Sequence, residues 1–354
     1  MSTMTKSDVQ QLKGILEQFT PDVIQQAVGE HLSGESVMEG AHLHKSYKDF
    51  PDPGPEMTIA GEAAMVDLED LAYIERIIGV SNLLPVHFLE EGAVVQRAVA
   101  RVTLKEAHSG LPAGSGWATG FMVSPTLFLT NNHVIPNIAF ASKVEAQFRY
   151  QLNYDGTALS VEAFQFDPAS VFRTNAALDY TLIRMKKRCT LVLTHGGLTT
   201  FAGDNTEGPT VIDPGLLRPV DPGLFRPPYI TWNCRNAGDV HGYIPLPTSI
   251  SYAVNQHVNI IQHPSGRRKE VALQQNNIQH IFANHVRYTT DTEPGSSGSP
   301  VFNNTWDLLS LHHAGGEFSG GVWVNNQGVR IDKIVDDIRS HFGAGHAVVT
   351  ELGI

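Results

Sequence analysis

Short stretches in which apolar and polar residues alternate run from about residue 93 to residue 343. Residues 121–123 and 127–130 are instead two short apolar runs; the Ser124-Pro125 dipeptide separates them, so together they predict a β-hairpin. Further strands are predicted at 144–152, 159–166, 180–185, 254–264, 271–273, 278–283, 286–289, 301–302, 307–312 and 321–324. A closing amphipathic helix is predicted from apolar residues at helical spacing: Ile331, Ile334, Val335, Ile338 and Phe342. The pattern indicates an all-β core followed by a C-terminal helix.

The first 92 residues follow a helical pattern instead. Residues 1–64 are interpreted as a helical hairpin at 7–32 followed by an irregular arm rich in glycine, proline and histidine. Residues 65–92 are predicted to be a helical lead-in, which ends in a short helix that starts at Pro85, buries Phe88 and Leu89, and stops at Gly92. The β-rich domain then spans 93–354, and its first strand is predicted at 93–104.

A segment rich in glycine and proline interrupts the β pattern between about 187 and 249. It contains a tandem repeat, DPGLLRP at 213–219 and DPGLFRP at 221–227. Two copies of seven residues are too few for a solenoid. The segment is therefore interpreted as an extended surface loop, and the alternative is an arm that docks a partner or covers a cleft.

The composition mainly excludes some classes of partner. The chain has 354 residues, 42% of them hydrophobic and 17% charged, with a net charge of −11. It has no run rich in lysine and arginine, so neither nucleic acid nor an anionic membrane is expected as a partner. The N-terminal residues lack an apolar signal core and no run approaches 18 apolar residues, which predicts a cytoplasmic protein.

The only cysteines are Cys189 and Cys234. Two cysteines do not make a disulfide framework, and they fit a reducing compartment at least as well as an oxidising one.

The most informative motif is TEPGSSGSP at 292–300, which contains G-x-S-G-x-P. A nucleophilic serine needs a tight turn of this kind, because the backbone N–H groups around it must converge on one oxygen atom. Ser297 is the candidate nucleophile, and the N–H groups of Gly295 and Ser297 are the candidate oxyanion hole.

Two other stretches accompany this motif: GSGWATGFMVSPTLFLTNNHVI at 114–135, which contains His133, and ALDYTLIRM at 177–185, which contains Asp179. With these blocks in the order His, Asp, Ser, the chain resembles the chymotrypsin-like (trypsin-like) serine peptidases over roughly residues 95–343. The resemblance implies two six-stranded antiparallel β-barrels. It also implies that Ser297 attacks a polypeptide substrate, that His133 is the general base and acid, and that Asp179 orients His133. No cofactor is implied.

The resemblance is nearest to the disulfide-poor bacterial glutamyl endopeptidases. That branch has a threonine five residues before the serine and a histidine on the strand beside the first substrate pocket, and Thr292 and His312 match these positions. A hydroxyl and an imidazole predict cleavage after Glu or Asp. Asp291 matches the trypsin position that selects Arg or Lys, so cleavage after basic residues is the alternative. Gly315 is expected to leave the strand edge open for substrate backbone.

Control of the enzyme is expected to differ from that of trypsin. The residue before the candidate nucleophile is Ser296 rather than an aspartate, so no zymogen switch of the trypsin type is expected. The N-terminal helices are predicted to bind a partner protein, in a regulated bacterial cytoplasmic pathway. The competing functional class is a non-catalytic scaffold with a peptidase fold. No metal site is predicted, because neither His42 with His44 nor His312 with His313 has further ligands at suitable spacing.

Overall fold

The fold is taken from a computed structural model that describes residues 83–195, 198–205, 229–274, 276–319 and 322–354. The predicted hairpin and arm at 1–64, the lead-in up to residue 82 and the repeat at 213–227 lie outside the described residues. Residues His87–Ile354 belong to one compact unit. Within the described ranges, no helix is both long and apolar enough to cross a membrane.

The first sheet has seven antiparallel strands in the order β5-β4-β1-β2-β3-β7-β6. Alternation of the predicted kind is clear in β4, where Val144, Ala146 and Phe148 are buried and the residues between them are partly exposed. The strands are β1 (Val99–Leu104), β2 (Gly116–Met122), β3 (Leu127–Thr130), β4 (Val144–Phe148), β5 (Glu162–Gln165), β6 (Phe172–Asn175) and β7 (Tyr180–Arg184).

The segment predicted as a surface loop at 187–249 contains a three-stranded antiparallel sheet, so that prediction is wrong for its described part. The strands are β8 (Arg188–His195), β9 (Leu198–Asn205) and β10 (Tyr229–Arg235), in the order β10-β8-β9. The prediction rested on the glycine and proline content of the whole segment. That average concealed two eight-residue strands, β8 and β9. The Gly196-Gly197 dipeptide between them in the sequence was an available hairpin signal.

The two cysteines form a disulfide across this sheet, a pairing that the sequence left open. Cys189 on β8 faces Cys234 on β10, and their sulfur atoms lie 2.00 Å apart. Their separation of 45 residues concealed the pairing, since only the register of the two strands brings them together.

The second large sheet also has seven antiparallel strands, in the order β12-β11-β15-β16-β19-β14-β13. The predicted core of two antiparallel barrels is therefore confirmed, with seven strands in each sheet instead of six. The strands are β11 (Asn259–Gln262), β12 (Glu270–Ala272), β13 (Ile278–Ile281), β14 (His285–Tyr288), β15 (Pro300–Phe302), β16 (Leu308–Gly315) and β19 (Asn326–Arg330), with a short ribbon of β17 (Phe318–Ser319) and β18 (Val322–Trp323) between the last two.

Five α-helices lie in the described part of the chain: α1 (His87–Val95), α2 (Ile138–Ala141), α3 (Ala237–His241), α4 (Ile331–Phe342) and α5 (Ala347–Leu352). The predicted C-terminal helix is α4, whose buried residues are Ile331, Ile334, Val335 and Ile338. Its Asp337 accepts hydrogen bonds from Arg173 at 2.7 Å, from Asn175 at 2.8 Å and from the Tyr180 hydroxyl. These contacts join α4 to β6 and β7 of the first sheet.

Helix α1 differs from the short helix predicted to start at Pro85. Phe88 is buried as expected and stacks on Trp306 at 4.7 Å, but Leu89 is 63% exposed. Gly92 lies inside the helix rather than at its end. A glycine fits there because the Trp306 ring occupies the space that a Cβ would need. The helix and a 3₁₀ turn at Gln96–Ala98 take up residues predicted as strand, so β1 begins at Val99.

Candidate active site

Strand pairing in the first sheet brings His133 and Asp179 together. Thr130 at the end of β3 pairs with Thr181 near the start of β7, so the turns that carry the two residues are neighbours. His133 Nδ1 lies 2.8 Å from Asp179 Oδ2, and the His133 backbone N–H donates to Asp179 Oδ1 at 3.0 Å. The carboxylate thus holds both the ring and the backbone of His133.

Asp179 is buried and has an unusual backbone conformation. Its φ is +43°, a region that aspartate tolerates better than most residues, and its carbonyl accepts from Asn131 Nδ2 at 2.9 Å. Burial by itself raises the pKa of Asp179, but the charge and hydrogen bonds of His133 and His313 outweigh burial and hold the pKa well below its usual range. Asp179 is therefore ionised at neutral pH.

Ser297 lies in the loop between β14 and β15, and the first sheet clamps this loop. Thr119 on β2 donates its backbone N–H to Ser297 O and its hydroxyl to Gly295 O, both at 2.9 Å. From the second sheet, His312 O accepts from Gly298 N at 2.9 Å. The sequence reasoning missed Thr119, although it lies in the same GWATGF stretch as the predicted motif.

The N–H groups of the two candidate oxyanion-hole residues differ in their hydrogen bonding from the N–H group of Ser296, which lies between them. Ser296 N–H donates back to Glu293 O at 3.0 Å, which closes a turn. The N–H groups of Gly295 and Ser297 have no acceptor among the residues that the structure describes. They are chemically suited to donate to an oxygen atom from outside the protein.

A cavity of about 310 Å³ lies beside Ser297. The structure brings all four predicted substrate-binding residues to its wall, together with several residues not predicted. Its lining is Thr289, Thr290, Asp291, Thr292, Glu293, Pro294, Ser297, His312, His313, Ala314, Gly315, Val324, Asn325 and Asn326.

Within this wall, His312 is buried and uncharged at neutral pH. Burial, together with the charges of His313 and His133, lowers the pKa of His312 to about 3, so the ring is neutral at pH 7. Burial raises the pKa of Tyr288 well above its usual value, and the Tyr288 hydroxyl lies 2.8 Å from His312 Nδ1. A phenol hydroxyl can donate to Nδ1 or accept from it, so this contact is compatible with either neutral tautomer of His312. Tyr288 is a further residue that the sequence reasoning missed.

Asp291 and His313 line the same cavity. The Asp291 side chain is exposed, and its backbone carbonyl accepts from Gln262 Nε2 at 3.1 Å. His313 Nδ1 lies 3.2 Å from Asp179 Oδ2, so His313 joins the cavity to the His133–Asp179 pair. The sequence reasoning did not predict the contact between His313 and Asp179. No group of three or more potential metal ligands occurs in the described ranges.

Substitution of Gly298 by alanine is expected to disrupt the loop that carries Ser297. Gly298 has a φ of +85°, and a Cβ there would lie 2.0 Å from Thr119 O. We expect Gly298→Ala to lower the free energy of unfolding by about 3 kcal/mol or more, because a backbone clash adds to the strain of a positive φ. Denaturant titration measures the effect.

Gly156→Ala is the matched control, because its φ is +78° but nothing lies within 4 Å of the added methyl group. It should lower the free energy of unfolding by only about 1 kcal/mol. Equal losses in the two variants would contradict the proposed clash.

Comparison with known proteins connects this geometry to a family. Residues 118–311 match the trypsin-like peptidase domain. The uncharacterized protein y4fB of Sinorhizobium fredii is 27% identical over 315 residues, which are 78% of this chain and 40% of that protein. Secreted RxLR effector protein 73 of Plasmopara viticola is 25% identical over 260 residues, which are 68% of this chain and 49% of that protein. The chain thus spans less than half the length of either relative.

Two further similarities are more limited. A glutamyl endopeptidase of Staphylococcus aureus is 26% identical over 94 residues, which are 26% of this chain and 29% of that protein. The solved serine endoprotease of Yersinia pestis superposes with a TM-score of 0.44 and 11% identity over 73% of this chain and 67% of that one. Because the trypsin-like match covers more than half of the chain, the protein belongs to the trypsin-like peptidase family.

Proposed function

We propose that the protein is a serine endopeptidase that forms an acyl-enzyme on Ser297. The observation that carries the proposal is the hydrogen-bonded pair of His133 and buried Asp179, which His313 connects to the cavity beside Ser297. A serine hydroxyl is a poor nucleophile at neutral pH, and an oriented imidazole is the group that activates it.

The reaction follows from these groups. The Ser297 hydroxyl attacks the carbonyl carbon of the substrate and its proton passes to His133, while Asp179 stabilises the resulting imidazolium. The N–H groups of Gly295 and Ser297 donate to the oxyanion of the tetrahedral intermediate. His133 then gives the proton to the leaving amine, and water, activated by the same imidazole, hydrolyses the acyl-enzyme.

We further propose that the enzyme cleaves after Glu or Asp. Support comes from neutral, buried His312, whose Nε2 carries the proton when Tyr288 donates to Nδ1, and from the Thr292 hydroxyl; both residues line the cavity. The local similarity to a glutamyl endopeptidase agrees with this preference. Asp291 lines the same cavity and favours the alternative, cleavage after Arg or Lys. Because Asp291 is exposed, its charge is screened by water, and we rank this alternative second.

A cleavage profile over a peptide library tests the substrate preference, and His312→Leu tests its source. We expect the wild type to prefer Glu over Gln before the cleaved bond, and His312→Leu to reduce that preference about 10- to 100-fold, which is the value of one hydrogen bond to a charged group. Asp291→Asn is the control and should increase the preference for Glu, since it removes a like charge. A wild-type preference for Arg or Lys that Asp291→Asn abolishes would contradict the proposal.

Regulation and localisation stay predictions. The N-terminal helices proposed to bind a partner protein lie outside the described residues. The Cys189–Cys234 bond favours an oxidising compartment over the predicted cytoplasm, because such bonds are rare where thiols are kept reduced.

A further inference from the structure

A line of hydrogen bonds leads from Asp179 across the second sheet to the protein surface. His313 Nδ1 lies 3.2 Å from Asp179 Oδ2, and His313 Nε2 lies 3.0 Å from Gln327 Nε2. Gln327 Oε1 accepts from Arg287 Nε at 3.1 Å, and Arg287 also donates to Glu317 at 3.4 Å. None of these contacts involves Ser297 or the two oxyanion-hole amides.

Sheet order explains how the residues meet. His313 is on β16, Gln327 on β19 and Arg287 on β14, and these are adjacent strands. Gln327 pairs directly with Arg287 and with Ala314, the residue after His313. The three side chains therefore cross the sheet in sequence.

The direction of each hydrogen bond follows from the arginine, which has donors only. Arg287 must donate, so the carbonyl oxygen of Gln327 faces it and the amide nitrogen faces His313. An amide nitrogen donates, so His313 Nε2 must accept and the ring proton lies on Nδ1. That proton points to Asp179, which already accepts from His133 on both oxygens.

We propose that His313 is a positioning residue for the reaction, held in its Nδ1–H tautomer by Gln327 and Arg287. This inference rests on the proposed peptidase function. His313 acts through Asp179: with three donors on its two oxygens, the carboxylate has one orientation, and it holds the His133 ring in that orientation through the proton transfer. His313 lines the cavity, but the contact that matters here is the one with Asp179.

The charged and titratable groups around His313 come from several elements. Asp179 approaches from the first sheet, and His133 contacts the same carboxylate. From the second sheet, His285 on β14 stacks on the His313 ring at 5.2 Å, Arg287 acts through Gln327, and His312 precedes His313 on β16. The pH dependence of a His313 variant must be judged against all of these groups.

Two substitutions separate the hydrogen bond from the shape of the side chain. Asparagine at 313 places an amide N–H near the position of the imidazole Nδ1, whereas leucine fills a similar volume without a donor. We expect His313→Leu to lower kcat/KM for a peptide substrate about 10- to 100-fold, mainly through kcat, and to change the acidic limb of the pH profile. We expect His313→Asn to stay within about threefold of the wild type, with an unchanged acidic limb.

Three results of this experiment overturn the inference. One is a His313→Leu variant as active as the wild type. Another is an equal loss in both variants, which shows that the site needs the imidazole for packing alone. The third is a loss in His313→Leu that appears only in KM. A wild type that hydrolyses no peptide and binds no fluorophosphonate contradicts the proposed function instead.

The tautomer can be observed without any activity. In the full chain labelled with ¹⁵N-histidine, correlation of ring nitrogens and ring protons distinguishes the two neutral tautomers, and the spectrum of His313→Asn assigns the His313 signals. We expect a proton on Nδ1 in the wild type. In Gln327→Glu a carboxylate accepts from Nε2 as well, so we expect protons on both nitrogens. A wild-type proton on Nε2 alone overturns the inference.

Discussion

Ser297→Ala is expected to abolish peptide hydrolysis, with a loss in kcat of about 10⁶-fold. In the proposed mechanism the Ser297 hydroxyl oxygen forms the acyl bond, so without it His133 has no proton to accept and the base held by Asp179 has no nucleophile to activate. The residual rate comes from the amides of Gly295 and Ser297, which remain in place. A fluorophosphonate probe measures the same chemistry directly: we expect the wild type to be labelled covalently and Ser297→Ala to stay unlabelled.

Ser299→Ala is the control for this experiment. Ser299 is buried two residues away in the same loop, and its hydroxyl has no hydrogen-bond partner in the described part of the chain. Its removal should leave labelling unchanged. If the wild type is not labelled, or if Ser297→Ala is labelled equally, the scaffold alternative becomes the better explanation of the fold.

Asp179→Asn is expected to reduce kcat about 10⁴-fold, the size of loss known for this change in other serine peptidases. The reason here is the number of donors. One oxygen of Asp179 accepts from the His133 backbone, and the other accepts from His133 Nδ1 and His313 Nδ1. An asparagine has one acceptor oxygen, so its NH₂ group must face at least one of these donors. The carboxamide also carries no charge to stabilise the imidazolium of His133.

Asp337→Asn provides a comparison at a partly buried carboxylate that binds Arg173, Asn175 and Tyr180 but not His133. It should lower the melting temperature while kcat changes by less than about tenfold. A loss of less than tenfold in Asp179→Asn, measured on protein of wild-type melting temperature, would contradict the role proposed for Asp179.

Local patterns in the sequence were sufficient for the core. Short apolar or alternating stretches between turn signals predicted most strands of both sheets, and the spacing of Ile331, Ile334, Val335 and Ile338 predicted helix α4. The sequence blocks around His133, Asp179 and Ser297 were enough to identify the candidate catalytic residues. In each block, the residues themselves indicate both the end of a strand and the turn beside it. The structure brings His133 and Asp179 within hydrogen-bond distance and puts Ser297 at the cavity.

The sequence by itself therefore determined the double-sheet core, the C-terminal helix and the identity of the candidate catalytic residues. Only the tertiary structure decided three further features: the Cys189–Cys234 bond, the hydrogen bond from Thr119 to the loop that carries Ser297, and the contact between His313 and Asp179. The physical reason is that a period of two residues determines which face of a strand is buried, but not which strand lies beside it. His313 and Asp179 are 134 residues apart, and their contact exists only once both sheets have formed.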